Sequence, residues 1–492
     1  DDTALELKRQ IEAGLVKRAP EPGLLISSRS SETVRNLLAS FETRVIGDLL
    51  GSGGGGFFYI TLASREHGNL DILFDPQSPE PLVAGAVSSA GSQTEFKVWT
   101  NYAPPNFTPP PARSMAGNYR IEASLAPDLR LDAVSRLTIT AGQELVDGAL
   151  VFELAPEMRI EAALVDGRPV EVFRRESLRA NLIGRKLNEP FLLVLPEPFQ
   201  PGTAHEVEIR HGGKVIRPAG NDVFFVSART NWYPVHGLRF TTFDLLFRSP
   251  KAWQVVATGE QVEERLEGET RVVRNVTSSP VRLAGFNVGD YASVRVERGG
   301  YKVEVCANKA LEPSLASRAT TYILVPPAWP SRGPLRRPAE LIPMTAPPPD
   351  PRSRLSSLAQ AMATDFEWMA QQFGPPPLKS LVASPIPGFF GQGFPGLLYL
   401  STAVYLSESD RPAGMRTGTQ AAFYNDILHA HEIAHQWWGN LVTTESYRDD
   451  WLMEALANYS AWMALEKKRG NRAFEDQLQA AVSALRVNRE GK

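Results

Sequence analysis

His431-Glu432-Ile433-Ala434-His435 places two imidazoles four residues apart, with a carboxylate next to the first. On a helix such residues stand one turn apart and about 40° apart in azimuth, so both rings can address one ion. Glu432 is turned about 100° from His431, so its carboxylate flanks the ion instead of joining the same row. A base must sit there to take a proton from a metal-activated water. The chemistry these residue types suit is hydrolysis assisted by one Zn2+ ion. A catalytic zinc takes three protein ligands and keeps the fourth position open. Candidates for the third are His429, Asp449, Asp450 and Glu454. His429 is two residues before His431 and points to the far side of a helix. Glu454 lies in WLMEALANYS, a second helical segment, and 18 residues separate it from His435, enough to end one helix and bring another back. Asp449 and Asp450 fall near the start of that segment, where they suit the helix dipole as caps. Asn458, four residues after Glu454, is placed to orient a ligand from behind.

These residues need elements to hold them. Helix is predicted at 420–439, 450–468 and about 473–486, preceded by a helix over 355–373 and a short strand at 381–384. Upstream, YRIEASLA, RLTITAG, ALVFEL, HEVEIRH and TFDLLFR read as strands separated by turn residues, which predicts an antiparallel β domain over 119–300. Proline clusters at Pro104, Pro105 and Pro109–Pro111 mark a linker at 103–118. Residues 1–102 read as a small α+β module, helical over 1–50 and with strands at 57–64 and 70–75. The remainder, 301–492, is left for the catalytic chemistry. A second His-Glu-His group, His205, Glu206 and His211, has a spacing of six within a strand and reads as ordinary surface.

Composition narrows the function. The 492 residues carry a net charge of −3, so no basic field calls for nucleic acid. No run of about 20 apolar residues offers a transmembrane segment. Cys306 is the one cysteine, which excludes an internal disulfide. The N-terminus, DDTALELKRQ, is unlike a signal peptide. That leaves the compartment open, a soluble protein exported to the periplasm or medium with its signal removed among the options. Nothing in the sequence specifies an oligomeric state.

HEIAHQWWGNLVT followed by DDWLMEALANY resembles the signature of the alanyl-aminopeptidase family of gluzincin zinc metallopeptidases, HExxHxWxGN and then, after 18 residues, a Glu in W-L-x-E. The match falls on His431, Glu432, His435, Trp437, Gly439, Asn440, Trp451, Leu452 and Glu454. NWYP (231–234) and TFDLLFRSPKAWQVVATGE (242–260) are similar to the family's β domain. The resemblance covers about 119–492. It implies a saddle-like β domain on a thermolysin-like α+β catalytic domain, with His431, His435 and Glu454 as zinc ligands and Glu432 as general base. It also implies a peptide or protein substrate. Two features depart from the family. Its Gly-x-Met-Glu-Asn loop, whose Glu binds the substrate's free amine, corresponds here to GFFGQGFPGLLYL (388–400), with Gly393 or Phe394 at the Glu position and no acidic residue. The glutamine that assists amine binding falls near Phe225. Gly391, Gly393 and Phe394, with Phe389 and Phe390, are therefore expected to line an uncharged substrate-binding subsite. The family's oxyanion tyrosine falls beyond Lys492, so the catalytic domain reads as partial. The competing reading is a non-catalytic scaffold that keeps the fold and binds zinc.

Overall fold

The computed structural model describes residues 49–489, except 51–57, 65–67, 77–80, 91–92, 105, 109–110, 144–147, 175–187, 228–230, 238, 317–319, 326–339, 346–347 and 445–448. The helix expected over 1–50 lies outside the described residues, apart from Leu49 and Leu50, which are helical. Phe58–Ser64, Gly68–Phe74, Leu82–Ala90 and Gln93–Tyr102 form a four-stranded antiparallel meander. Its buried Asp71 accepts a 2.8 Å hydrogen bond from Tyr59.

The β-rich region is centred on an eight-stranded sheet. Its order is Glu260–Glu267, Thr270–Val276, Phe243–Pro250, Ser114–Leu125, Leu131–Ala141, Ala204–Gly213, Met158–Val165 and Arg168–Pro169. Leu131–Ala141 shows why it forms: alternate side chains, Leu131 to Ala141, are buried while those between them face outward. Three expectations change here. The strand Ser114–Leu125 begins inside the stretch expected as linker, so the proline-rich connection stops before residue 114. Phe243–Pro250 runs parallel to Ser114–Leu125, so the sheet is mixed rather than wholly antiparallel. His211 is not a surface residue: it is 1% exposed, with Nε2 2.9 Å from Ser135 Oγ. An edge strand made of EQVEERLE closes one side with exposed charge, which resists pairing with another chain.

Burial pushes the His211 imidazole down to about 3, against a weaker opposing pull from Asp132. The unfolded chain binds a proton near pH 6.5 and the folded one does not, so stability falls as pH drops from about 6.5 towards 3. Between pH 7 and pH 5 this group costs about 2 kcal/mol, at about 1.4 kcal/mol per unit. Urea unfolding at both pH values should show His211→Gln losing about 2 kcal/mol less than the parent. Equal losses in the two proteins would rule out this source of acid sensitivity.

A second sheet carries the later part of the chain. Its strands are β1 (Tyr291–Arg298), β2 (Tyr301–Asn308), β3 (Ser380–Ile386), β4 (Gln392–Phe394) and β5 (Leu397–Ser401), in the order β1-β2-β3-β5-β4. The β1–β2 hairpin therefore pairs with this sheet although it begins before residue 301. Helix α1 (Leu355–Phe373) lays Leu358, Met362, Phe366 and Met369 against the sheet at three- and four-residue intervals. A π-helical turn, Phe423–Ile427, leads into α2 (Leu428–Ala434). The helix predicted to reach 439 stops at His435. There Trp438 turns its carbonyl back to the imidazole, and Gly439, at φ 106°, takes the left-handed conformation that redirects the chain. Helices α3 (Asp450–Arg469) and α4 (Asn471–Arg489) follow. Asp449 makes no side-chain cap hydrogen bond to α3, contrary to its expected role, and the side chain of Asp450 lies outside the described residues.

The two regions have separate cores, one built mainly from residues 119–288 and one from residues 303–465. They meet where Tyr399 donates to the Phe286 carbonyl and Asn287 donates to Ser384 Oγ. Among the described residues no helix is long and apolar enough to cross a membrane.

Candidate metal centre

Helix α2 presents His431 and His435 on one face, and α3 returns with Glu454 as its fifth residue. Their ligand atoms lie within 4.8 Å of one another. Nε2 of His431 and Nε2 of His435 are 3.1 Å apart, and the Glu454 oxygens lie 3.3 and 3.7 Å from them. The edge of a tetrahedron around an ion with ligands at 2.0–2.1 Å is about 3.3–3.4 Å. The spacing is therefore that of three corners of a small tetrahedral site. His435 Nδ1 sits 2.8 Å from the Trp438 carbonyl, so that nitrogen holds the proton and Nε2 keeps its lone pair for a metal. Nδ1 of His431 is buried without a partner among the described residues. Burial lowers the His435 imidazole, and the neighbouring His431 adds to this. A neutral ring is the form that can ligate.

Glu432 is 3% exposed and flanks this group. Burial holds its carboxyl well above the usual range, and the charge of Glu454 raises it further. Loop 388–396 covers it. A Cβ on Gly391 would stand 2.3 Å from Glu432 Oε1, and a Cβ on Gly393 would stand 2.7 Å from His435 Cβ. Both glycines are thus brought against the site because they have no side chain. If this group holds an ion and hydrolyses substrate, Gly391→Ala should keep metal content and lower the rate about 100-fold, because the carboxylate must give way and such displacements cost about that much. Steady-state rates beside metal analysis check it, and a rate within about threefold of the parent would show that the carboxylate accommodates the methyl.

Phe394 does not line an open subsite. Its ring is 8% exposed and packs with Tyr399, Ile386 and Leu397, with Phe225 against the same cluster. Phe394, one of two candidates for the family's Glu position, and Phe225, near its glutamine position, are therefore packed in one apolar cluster. Phe389 and Phe390 are exposed, at 63% and 52%. Asn458 is exposed on α3, and no hydrogen bond joins it to a ligand among the described residues. His429 is buried and bonded to Asp365 at 3.1 Å, away from the ligand group.

Two residues that sequence reasoning left without a role hold the loop. Gln436 accepts from Gly396 N at 2.8 Å and donates to the Phe394 carbonyl at 2.9 Å. Asn440 donates to the Gly393 carbonyl at 3.1 Å. The signal available was their place inside the His-Glu motif as polar residues that prove buried, at 2% and 5% exposure.

Residues 415–490 match the Peptidase family M1 domain. Over that segment the chain is similar to peptidase family M1. Among curated relatives, endoplasmic reticulum aminopeptidase 2 of Homo sapiens is 47% identical over 47 residues, covering 10% of this chain and 5% of that protein. Aminopeptidase M1-D of Oryza sativa subsp. japonica is 33% identical over 93 residues, covering 19% and 10%. Aminopeptidase N of Homo sapiens is 51% identical over 37 residues, covering 8% and 4%. The matching segments thus span a tenth or less of those relatives' length. The crystal structure of the M1 zinc metallopeptidase from Deinococcus radiodurans superposes with a TM-score of 0.50 at 16% identity, over 76% of this chain and 75% of that one. At that identity the likeness is one of fold.

Proposed function

We propose that this chain is a zinc-dependent metallopeptidase of the M1 kind that hydrolyses peptide bonds. The observation that carries the reading is the convergence of the His431, His435 and Glu454 ligand atoms beside the buried carboxyl of Glu432. One Zn2+ ion, held by those three side chains, would supply Lewis acidity to a water and to the scissile carbonyl. The chain's own residues do the rest. Glu432 takes the water's proton on its carboxylate and passes it to the leaving amine. The Trp438 carbonyl keeps His435 in the tautomer that ligates. Gly391 and Gly393 form the wall against which Glu432 and the substrate backbone are placed.

Burial of Glu432 supports catalysis over a scaffold role, since desolvation raises its carboxyl and so makes the carboxylate a stronger base. The substrate class follows from the loop. Residues 388–400 carry no acidic side chain, and Phe394 and Phe225 pack together. A substrate ammonium placed there would be desolvated without a carboxylate partner. The favoured substrates are internal or amine-blocked peptide bonds. The test compares a free-amine peptide with its acetylated form on zinc-loaded and chelated protein. Chelator-sensitive cleavage of the acetylated form supports the reading. No turnover of either would return the chain to the scaffold reading, and cleavage of the free-amine form alone would return it to an aminopeptidase.

A further inference from the structure

His431 and His435 share one helix, so their spacing is set locally. Glu454 comes from α3, and its side chain is 67% exposed. Its position depends on how α3 lies along α2. The packing surface of α3 is built from small side chains: Ala457, Ala461 and Ala464 are buried there with Leu465. Alanines allow close approach but offer few knobs to fix the slide of one helix along another. Polar ties supply that register. Trp438 Nε1 donates to Ser460 Oγ at 2.9 Å near the metal end.

The other tie is remote. Asp426, in the π-helical turn before α2, has a side chain 3% exposed; its Oδ1 lies 2.5 Å from Lys468 Nζ and its Oδ2 lies 2.5 Å from Arg469 Nη2. Residue 468 is about 21 Å along α3 from residue 454. The turn that carries Asp426 is itself fixed. Arg354 donates to the Tyr424 and Asn425 carbonyls, and the buried Arg411 donates to Asn425 Oδ1 and the Ala403 carbonyl. Both guanidinium groups grip the wide turn, where an ordinary helical ladder is interrupted.

We infer that Asp426 is a positioning residue for the metal site. Its ion pairs with Lys468 and Arg469 set the register of α3 along α2 that brings Glu454 to the two histidines. This rests on the metal-site reading above.

The test measures zinc affinity by competition with a chromophoric chelator. The variants are Asp426→Asn, the double variant Lys468→Met with Arg469→Met, the conservative Lys468→Arg, and Arg472→Met on the exposed side of α4 as control. Asp426→Asn and the double variant should bind zinc 10- to 100-fold more weakly, the range for residues that support metal ligands. Their cobalt-loaded absorption should shift with the altered ligand geometry. Lys468→Arg and Arg472→Met should match the parent. The double variant changes half-exposed side chains and decides the matter if Asp426→Asn fails to fold. Parent zinc binding with both clamp variants inside a factor of about two overturns this inference alone, even if their melting temperatures fall. A parent that binds no zinc overturns the metal-site reading, and the inference with it.

Discussion

Glu432→Gln should retain its zinc and lose peptide hydrolysis by about 1,000-fold or more, since the amide can accept no proton. The side chain is nearly isosteric, and the Gly391 backbone lies close against it, so the amide fits where the carboxylate stood. Metal content by elemental analysis and initial rates on one peptide separate the two effects. Activity close to that of the parent would exclude Glu432 as the base. The amide also removes a buried ionisable group, so the variant should be at least as stable as the parent. Loss of activity through unfolding would show at once in its melting curve.

His435→Ala should abolish stoichiometric metal. Two ligands remain, one of them the exposed Glu454, and a catalytic zinc needs three from the protein. The substitution also frees the Trp438 carbonyl, which has His435 Nδ1 as its partner and marks the end of α2. Hydrolysis should fall in proportion to metal and recover only partly in excess zinc. Purified His435→Ala carrying one zinc per chain would show that the ion sits elsewhere.

The pairing of His431 with His435 on one helix face was legible because its signal is local: one-turn spacing needs nothing beyond helix geometry, whereas Glu454 stood out from the other acidic candidates only through the family resemblance. Helix α1 was legible for the same reason: Leu358, Met362, Phe366 and Met369 mark one face. What escaped depends on contacts between distant segments. The parallel pairing of Phe243–Pro250 with Ser114–Leu125 joins strands more than a hundred residues apart, and alternation alone cannot give a strand its neighbour. His211 looked exposed because its strand alternates with charged residues, yet Ser135 on the adjacent strand gives it a partner inside. Phe394 looked like a subsite wall because of its place in a loop; the sheet behind it offered Tyr399 and Leu397, and burying the ring there was the better outcome. The π-helical turn has no compositional mark at all, and the arginines that grip it lie 13 residues before it in one case and some 70 in the other.

The division of the apolar interior into two bodies bears on how the molecule fails under stress. Only one body holds the candidate metal ligands, so an ion bound there would protect that half directly by mass action. Stripping such an ion would weaken the helical half and leave the other body as the last to come apart. Chelation would then leave an intact β platform beside a loosened helical face, with the Tyr399 and Asn287 junction as the border between them.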